Sequence, residues 1–320
     1  MHIDMPLEQL KKYMGKSIKP NDFDIYWEKG LREVRNLSTE YELIPASIKS
    51  DVADCYHLYF TGTGNATIHA KFVRPKQVKP ESPGLVMFHG YSVDSGDWLD
   101  KLPYAAQGIT VLAMDCRGQG GDSEDTLTIK GPTLRGHVIR GIEDPNPNQL
   151  YYRHVFLDTV QSVRVLQSME HIHASRIGAC GASQGGGLAL ACAALVPEIK
   201  EVAAVYPFLS DYRRVWEDMD IQQSAYEEIA TYFRTRDPNH DHEDEVFQRL
   251  GYIDIQHLTP RIKGHVWWAL AMKDMICPPS TQFAAYNKIS ASKDMLLFHE
   301  YGHEHLPSVA DLMFQQMSRL

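Results

Sequence analysis

Cysteine is scarce in this sequence. The 320 residues include five cysteines, widely spaced and without a C-x-x-C pair: Cys55, Cys116, Cys180, Cys192 and Cys277. An odd number of scattered cysteines excludes the disulfide framework of a small secreted domain and suits a reducing compartment. We therefore expect reduced thiols in a cytoplasmic protein, with none of the five acting as a nucleophile.

Long apolar runs and an excess of basic residues are missing as well. The longest apolar candidates, 202–205 and 266–272, have the length of a strand, whereas a membrane span needs about eighteen apolar residues or more. The first ten residues carry acids and a proline where a signal peptide has a basic end and an apolar run. The formal net charge of -9 argues against polyanion binding as the main role. We expect neither a membrane nor a nucleic acid as partner.

From residue 84 onward, short apolar runs alternate with helical patterns. Six runs have the length and composition of strands: 85–88, 109–114, 177–180, 202–206, 266–272 and 295–298. An amphipathic helix is predicted over about 153–169, with Phe156, Val160 and Val163 on one face. Continuous apolar strands that alternate with such helices predict an α/β fold whose mostly parallel sheet is covered on both faces.

Three segments fall outside this alternation. Residues 1–50 predict an N-terminal helical extension. The runs 54–60 and 66–73 predict a hairpin, because glycines and an asparagine between them tolerate positive φ. Residues from about 211 to 254 are charged, aromatic and mostly helical in pattern, and they are too few for a core of their own. We expect a helical insertion there, within one α/β domain over residues 1–320.

The sharpest local signal is a G-x-S-x-G motif between a predicted strand and a predicted helix, Gly181-Ala182-Ser183-Gln184-Gly185. The motif alone is weak, and a glycine-rich turn used only for close packing is the alternative. A nucleophile elbow needs such a turn because its flanking positions must be nearly free of side chains. The turn places the serine hydroxyl at a helix N-terminus, where backbone N–H groups favour developing negative charge. We predict Ser183 as the nucleophile.

A serine nucleophile needs a base, and the base needs an acid that orients it. In chains with such a strand–elbow–helix unit, the acid comes after the serine in the sequence and the histidine comes after the acid, each on a loop that follows a later strand. Asp274 lies two residues after the run 266–272, and His303 lies shortly after the last run, 295–298. We predict Asp274 as the orienting acid and His303 as the base.

Other acids and histidines compete for these roles. Asp254 and Asp294 precede strands, which puts them at the opposite edge of the sheet, as a helix cap or a solvated turn residue. His299 is expected inside the last strand. His305 lies on the same loop as His303 and remains the less favoured base, because a glycine directly before His303 permits the sharp turn.

The oxyanion of an acyl-transfer intermediate needs two hydrogen-bond donors. One is expected from the backbone N–H of Gln184, the residue after the nucleophile. The second is expected from the loop after an early strand, where the N–H of Tyr91 is the natural candidate. The alternative for this loop is a plain strand end with a turn glycine.

No metal or cofactor site is expected. The run His240-Asp241-His242-Glu243-Asp244 lies in the charged insertion without a third set of ligands, and a solvated loop is the favoured interpretation. The pair His171-x-His173 follows a helix end, where cationic groups complement the helix dipole. The run Gly118-x-Gly120-Gly121 lacks both the Lys-Ser/Thr of a P-loop and the spacing of a dinucleotide fingerprint.

Several motifs together resemble the acetyl xylan esterase and cephalosporin C deacetylase family of carbohydrate esterases. Three carry the likeness: Arg117-Gly118-Gln119-Gly120-Gly121, Gly181-x-Ser183-Gln184-Gly185 and His303-Glu304. Others extend it nearly end to end: Asp22-Phe23-Asp24-x-x-Trp27, His89-Gly90-Tyr91, Tyr152-Arg153-x-x-x-x-Asp158 and Asp274-x-x-Cys277-Pro278-Pro279-Ser280.

This resemblance implies an α/β-hydrolase that removes acetyl groups from small sugars, short xylo-oligosaccharides and cephalosporin C-type compounds. It implies a triad of Ser183, Asp274 and His303. The oxyanion hole would come from Tyr91 and Gln184. Members of the family are commonly cytoplasmic and form hexameric rings, so the resemblance also implies a homo-oligomer.

The resemblance further gives Arg117 and Gln119 structural roles in holding the loop near the site. Two positions depart from the expected pattern: Ala182 stands where glycine is expected, and Ser92 stands where asparagine is expected. Two other functions remain as alternatives, a serine peptidase or amidase of the same fold and a catalytically silent binding protein.

Overall fold

A single mixed sheet organises the molecule. The computed structural model describes residues 3–131 and 136–320. Its strands are β1 (Tyr41–Pro45), β2 (Ala53–Thr61), β3 (Thr67–Pro75), β4 (Ser82–Phe88), β5 (Thr110–Met114), β6 (Ile172–Ala182), β7 (Glu201–Val205), β8 (His265–Ala271) and β9 (Lys293–Phe298). Their order across the sheet is β1-β2-β3-β5-β4-β6-β7-β8-β9.

Helices cover the sheet and fill the connections between strands. Within the described ranges they are α1 (Leu7–Leu10), α2 (Phe23–Arg35), α3 (Leu102–Ala106), α4 (Tyr151–Gln167), α5 (Gln184–Leu195), α6 (Tyr212–Asp218), α7 (Glu227–Arg236), α8 (Glu243–Leu250), α9 (Ile255–Leu258), α10 (Pro279–Tyr286) and α11 (Val309–Met317). None of these helices has the length and apolar character needed to cross a bilayer.

The pairing of the strands confirms the fold expected from the sequence. Strands β4 to β9 are paired in parallel, and each overlaps one of the six apolar runs to within one residue at the ends of the run or a few residues at the ends of the strand. Strands β2 and β3 form the expected antiparallel hairpin, and β3 continues antiparallel onto β5. Every residue of β5 is buried, as a strand covered on both faces requires. This is the α/β-hydrolase fold.

Helix α5 packs unusually close to the strands. All its residues are buried. A Cβ atom added at Gly185 would lie 2.0 Å from the carbonyl oxygen of Phe88, at the end of β4, and one at Gly187 would lie 2.4 Å from the carbonyl oxygen of Phe208. Only glycine fits at such distances, so the small residues after Ser183 set how deeply the helix seats on the sheet.

The N-terminal segment packs across the helical side of the molecule. Trp27 of α2 is fully buried and stacks on Phe156 of α4, with ring centroids 5.7 Å apart. Its indole N–H donates to the carbonyl of Tyr252, at the end of the 211–254 segment. The predicted helical extension of residues 1–50 also contains strand β1, which its sequence did not indicate. This strand lies at the sheet edge and is mostly exposed, so it shows no apolar alternation.

Two aspartates hold the ends of the 211–254 segment together. The N–H of Asp211 donates to both carboxylate oxygens of Asp254, at 3.1 and 3.0 Å. The carboxylate of Asp211 accepts hydrogen bonds from the Tyr13 hydroxyl and the Ser17 N–H. Burial, with the charge of Asp211, raises the pKa of Asp254 to about 7. The first and last residues of the segment therefore lie side by side, which favours our proposal of one domain carrying an inserted segment.

Candidate active site

Ser183 lies in a strained turn between β6 and α5. Its backbone has φ 57° and ψ -120°, a conformation that costs energy for a residue with a side chain. Its N–H donates to the carbonyl of Val205, and its carbonyl accepts from the N–H of Phe208. A Cβ at Gly181 would lie 2.4 Å from the carbonyl carbon of Gly185. The turn therefore has the form of a nucleophile elbow, held by β7 and the loop after it.

Asp274 and His303 form a hydrogen-bonded pair at the same edge of the sheet. The Nδ1 atom of His303 lies 2.8 Å from Oδ2 of Asp274. The other carboxylate oxygen accepts from the N–H groups of Ile276 and Cys277, at 2.8 Å each. Asp274 is fully buried. With Nδ1 donating to this anchored carboxylate, Nε2 of His303 is left as the basic nitrogen.

The competing residues lie elsewhere. Asp254 caps α9 by accepting from the N–H of Gln256, so one of its two expected roles is confirmed, although it is buried and not solvated. Asp294 lies inside β9, with its side chain exposed. His299 was expected inside the last strand, but β9 ends one residue earlier, at Phe298.

Ser183 and His303 border the same two cavities. One of about 380 Å³ also touches Tyr206, whose ring centroid lies 4.4 Å from that of His303. The other, of about 520 Å³, extends past Tyr91 and Ile276 toward the inserted segment. Larger hollows of about 730 and 940 Å³ lie elsewhere on the surface, and none of the predicted site residues borders them.

The Cys277 thiol lies beside the pair. A ligand atom of Cys277, one of Asp274 and one of His303 lie within 4.8 Å of one another. Burial, together with the negative charge of Asp274, raises the pKa of the Cys277 thiol well above its usual range. The thiol also forms a side-chain hydrogen bond with Ser183, so Cys277 lies directly against the proposed nucleophile.

The side chain of Gln184 ties the predicted oxyanion loop to α5. Its amide nitrogen lies 3.2 Å from the carbonyl of Gly90 and 3.3 Å from that of His89. Its amide oxygen accepts from the Tyr152 hydroxyl and from the Gln119 side chain, at 2.7 and 2.9 Å. The sequence pointed only to the backbone N–H of Gln184, whereas the structure shows that its side chain also holds the loop before Tyr91.

Tyr91 is anchored through its hydroxyl by a residue of the inserted segment. The hydroxyl donates to Oε1 of Glu228 at 2.7 Å and accepts from the N–H of His137. The second oxygen of Glu228 accepts from the N–H groups of Val138 and Ile139. Burial raises the pKa of Glu228 to about 7, although these hydrogen bonds oppose the rise. No motif marked Glu228 in the sequence.

The structural roles implied for Arg117 and Gln119 agree with their contacts. The guanidinium of Arg117 is fully buried and forms two hydrogen bonds of 2.7 Å with Asp158. The side-chain oxygen of Gln119 accepts from the N–H of Ser92 at 2.8 Å. Ser92 has a φ of 59°, a backbone region that asparagine adopts more readily than serine. The asparagine expected at this position would therefore suit the turn better than the serine that is present.

The two histidines of the run 240–244 form pairs with nearby glutamates at the surface. His240 lies 2.9 Å from Glu243, and His242 lies 3.8 Å from Glu245, around the first turn of α8. All five cysteines are free and buried, and Cys180 and Cys192 belong to the hydrophobic core.

Known proteins resemble this chain along its whole length. All residues from 1 to 320 match the family model described as acetyl xylan esterase (AXE1). The chain belongs to the acetyl xylan esterase family. Acetyl xylan esterase 1 from Thermoanaerobacterium sp. JW/SL YS485 is 49% identical, with 99% of each chain covered and a TM-score of 0.95. The acetyl xylan esterase from Paenibacillus sp. R4 is 36% identical over 98% of this chain and 99% of that one, with a TM-score of 0.92.

A curated relative in this comparison is longer. Acetyl esterase Axe7A from Xylanibacter ruminicola is 24% identical over 296 residues, which are 91% of this chain. The chain spans 64% of the length of that relative. Membership of the acetyl xylan esterase family, a family of carboxylic ester hydrolases, confirms the resemblance seen in the sequence motifs.

Proposed function

We propose that this protein hydrolyses acetyl esters of small carbohydrates, including short acetylated xylo-oligosaccharides. One observation supports this above the others: a buried Asp274 fixes His303 beside an elbow serine, in a chain of the acetyl xylan esterase family. The two cavities next to Ser183, of about 380 and 520 Å³, are of the size that holds a small ligand. They favour a small acetylated sugar as substrate over a long polymer.

In the proposed reaction, Oγ of Ser183 attacks the acetyl carbonyl carbon while Nε2 of His303 takes the hydroxyl proton. The carbonyl oxygen becomes an oxyanion, which the N–H groups of Tyr91 and Gln184 bind. Among the described residues, neither N–H donates a hydrogen bond to a protein acceptor. His303 then gives its proton to the departing sugar oxygen, and the C–O bond of the ester breaks. An acetyl group is left on Ser183.

Water completes the cycle. It attacks the acetyl-enzyme carbonyl while Nε2 of His303 removes its proton, and the second oxyanion is held by the same two N–H groups. Collapse releases acetate and returns the proton to Oγ of Ser183. Throughout, the carboxylate of Asp274 stabilises the imidazolium form of His303 without taking its proton.

The same chemistry extends to cephalosporin C-type compounds. Their acetyl ester of a primary alcohol presents the same carbonyl to Ser183, and the alcohol part would lie toward one of the two cavities. We propose deacetylation of these compounds as a second activity of this site. The hexamer and the cytoplasmic location implied by the family resemblance remain predictions, and a mass measurement in solution tests the first.

A substrate panel tests the proposal. Purified protein is expected to release acetate from p-nitrophenyl acetate, acetylated xylose and acetylated xylobiose, with turnover falling as the acyl chain lengthens. The Ser183→Ala variant should lose this activity, while the control Ser175→Ala, at the far end of β6 and exposed, should keep it. Faster turnover of p-nitroacetanilide than of p-nitrophenyl acetate would show an amidase. Full activity in Ser183→Ala would show that the nucleophile is wrongly assigned.

A further inference from the structure

Two histidines and an aspartate converge on the outer part of the sheet, and none of the three borders the cavities next to Ser183. Strands β2 and β3 pair His57 with Lys71 and Tyr59 with His69, so the two histidines are diagonal neighbours on one face. Their nitrogens, Nδ1 of His57 and Nε2 of His69, are 2.9 Å apart. A ligand atom from each histidine and one from Asp122 all lie within 4.8 Å of one another. We propose that His57, His69 and Asp122 bind a divalent transition-metal ion of the zinc type.

A buried carboxylate prepares His69 for this role. Oδ2 of Asp115 lies 2.6 Å from Nδ1 of His69. The carboxylate of Asp115 also accepts hydrogen bonds from the N–H groups of Ser95 and Asp122. With Nδ1 of His69 donating to this anchored carboxylate, a lone pair is left on Nε2 of His69. Metal-bound histidines commonly have such a carboxylate behind them.

The spacing of the nitrogens suits a shared metal ion. With metal–nitrogen bonds of about 2.0–2.1 Å, two nitrogens 2.9 Å apart subtend an angle close to a right angle at the metal. Opening toward tetrahedral geometry needs them to separate by only a few tenths of an ångström. Coordination needs the unprotonated nitrogen of each imidazole, and Nδ1 of His57 already points at Nε2 of His69 across the gap where the ion would lie. Two imidazoles and one carboxylate favour zinc over magnesium or calcium.

The charges and the access around the cluster also suit a cation. Asp115 and Asp122 supply two carboxylates. The ammonium group of Lys71, which lies near His57, donates to the carbonyl of Gly96 and lies 4.0 Å from Asp94. His69 is 1% exposed, whereas Asp122 is exposed and His57 is half-buried. An ion can therefore enter from solvent on the side of Asp122 and reach His69 at the bottom.

A metal here would join three segments. It would tie the β2–β3 hairpin to the loop after β5 that carries Asp122. Through Asp115 it would also support the N–H of Ser95, in the loop after β4. The expected consequence is greater stability of this part of the sheet. Of these residues only Ser95 borders a cavity next to Ser183, and none of the three proposed ligands does, so metal binding is tested independently of the proposed activity.

Calorimetric titration with Zn²⁺, on tag-free protein stripped with a chelator, tests this proposal. We expect one ion per chain, no binding of Mg²⁺, and a rise in the melting temperature with zinc. His57→Gln and Asp122→Asn should weaken binding by about tenfold or more and abolish the rise. His242→Gln is the control, since it removes an exposed histidine of the rejected run. Circular dichroism verifies that each variant is folded.

His303→Ala separates this site from the other ligand group, Asp274, Cys277 and His303, and should bind Zn²⁺ as the wild type does. If His303→Ala loses the ion while His57→Gln retains it, the metal belongs to the Ser183 site and the proposal is wrong. It is also wrong if wild-type protein takes up no Zn²⁺ at micromolar concentration, because the contact between His57 and His69 is then a hydrogen bond only.

Discussion

Replacing Glu228 with alanine is expected to impair catalysis through the oxyanion loop. The side chain is 5% exposed and accepts three hydrogen bonds, from the Tyr91 hydroxyl and from two backbone N–H groups. Each buried polar group left without a partner costs about 1–3 kcal/mol. The adjacent cavity of about 520 Å³ lets water reach the three donors that would lose their partner. We therefore take the low end of the range for each of them and expect the free energy of unfolding to fall by about 3 kcal/mol.

The effect on turnover follows from the position of Tyr91. Glu228 never touches the substrate in this scheme and acts as a positioning residue for the Tyr91 N–H. Complete loss of one oxyanion donor lowers kcat by about 100- to 1000-fold. A donor that is only displaced should lower kcat by less, because it still binds the oxyanion weakly. We expect kcat to fall about 10- to 100-fold with KM little changed. Glu228→Gln keeps the size and one acceptor oxygen, and it should recover most of the rate.

Steady-state kinetics with p-nitrophenyl acetate, below the melting temperature of each variant, measure this effect. Glu245→Ala is the control, because it removes an exposed glutamate from the same inserted segment. The reasoning is refuted if folded Glu228→Ala retains the wild-type kcat, or if Glu228→Gln is as slow as Glu228→Ala.

The same residue gives a pH dependence of stability. Burial raises the pKa of Glu228 from 4.5 to about 7. When folding raises the pKa of a carboxyl group, the folded state binds the proton more tightly than the unfolded state does. The resulting stabilisation is fully present below the pKa of the unfolded state and is lost as the pH rises through the pKa of the folded state. The shift corresponds to roughly 3 kcal/mol. Urea denaturation between about pH 5 and pH 8 should therefore show a steeper decline for the wild type than for Glu228→Gln.

Three further variants have distinct expected results. Asp274→Asn should lower kcat by about 10⁴-fold, because the amide favours the wrong tautomer of the histidine; a pre-steady-state assay measures it. Gly185→Ala should lower the melting temperature strongly, since the added Cβ would lie 2.0 Å from the Phe88 carbonyl oxygen. Burial raises the pKa of Asp254 to about 7, so the wild type should lose stability as the pH rises through that value. Asp254→Asn should show a smaller loss, which urea denaturation at several pH values measures.

Each of these has a result that contradicts it. A turnover of Asp274→Asn within tenfold of the wild type would remove the acid from the triad. A wild-type melting temperature for Gly185→Ala would mean that α5 seats farther from β4 than described. Parallel pH–stability curves for Asp254→Asn and the wild type would show that the Asp254 carboxyl is ionised throughout.

The parallel part of the fold and the order of the proposed triad residues follow directly from the sequence. Strands buried on both faces need continuous apolar runs, so β4 to β9 are visible as such. The carboxyl ends of parallel strands meet at one edge of the sheet. Loops carrying Ser183, Asp274 and His303 could therefore be placed together without knowing any contact.

The remaining features depend on contacts between distant segments. Glu228 meets Tyr91 across 137 residues of chain, and nothing in its neighbourhood marks it before the inserted segment is placed. His57, His69 and Asp122 have no spacing typical of a metal motif, because they come from a hairpin and a separate loop. Strand β1 is exposed at the sheet edge and therefore lacks the alternation that reveals a half-buried strand.

Trapping the acyl-enzyme tests the central claim most directly. Wild-type protein is mixed with p-nitrophenyl acetate, quenched in acid during turnover, and mapped by peptide mass spectrometry, with Ser183→Ala treated in parallel. The scheme predicts one acetyl group on the peptide that contains Ser183, at the serine itself, and none there in the variant. An acetyl group found on another residue that turns over at the catalytic rate, with Ser183 unmodified, would contradict it.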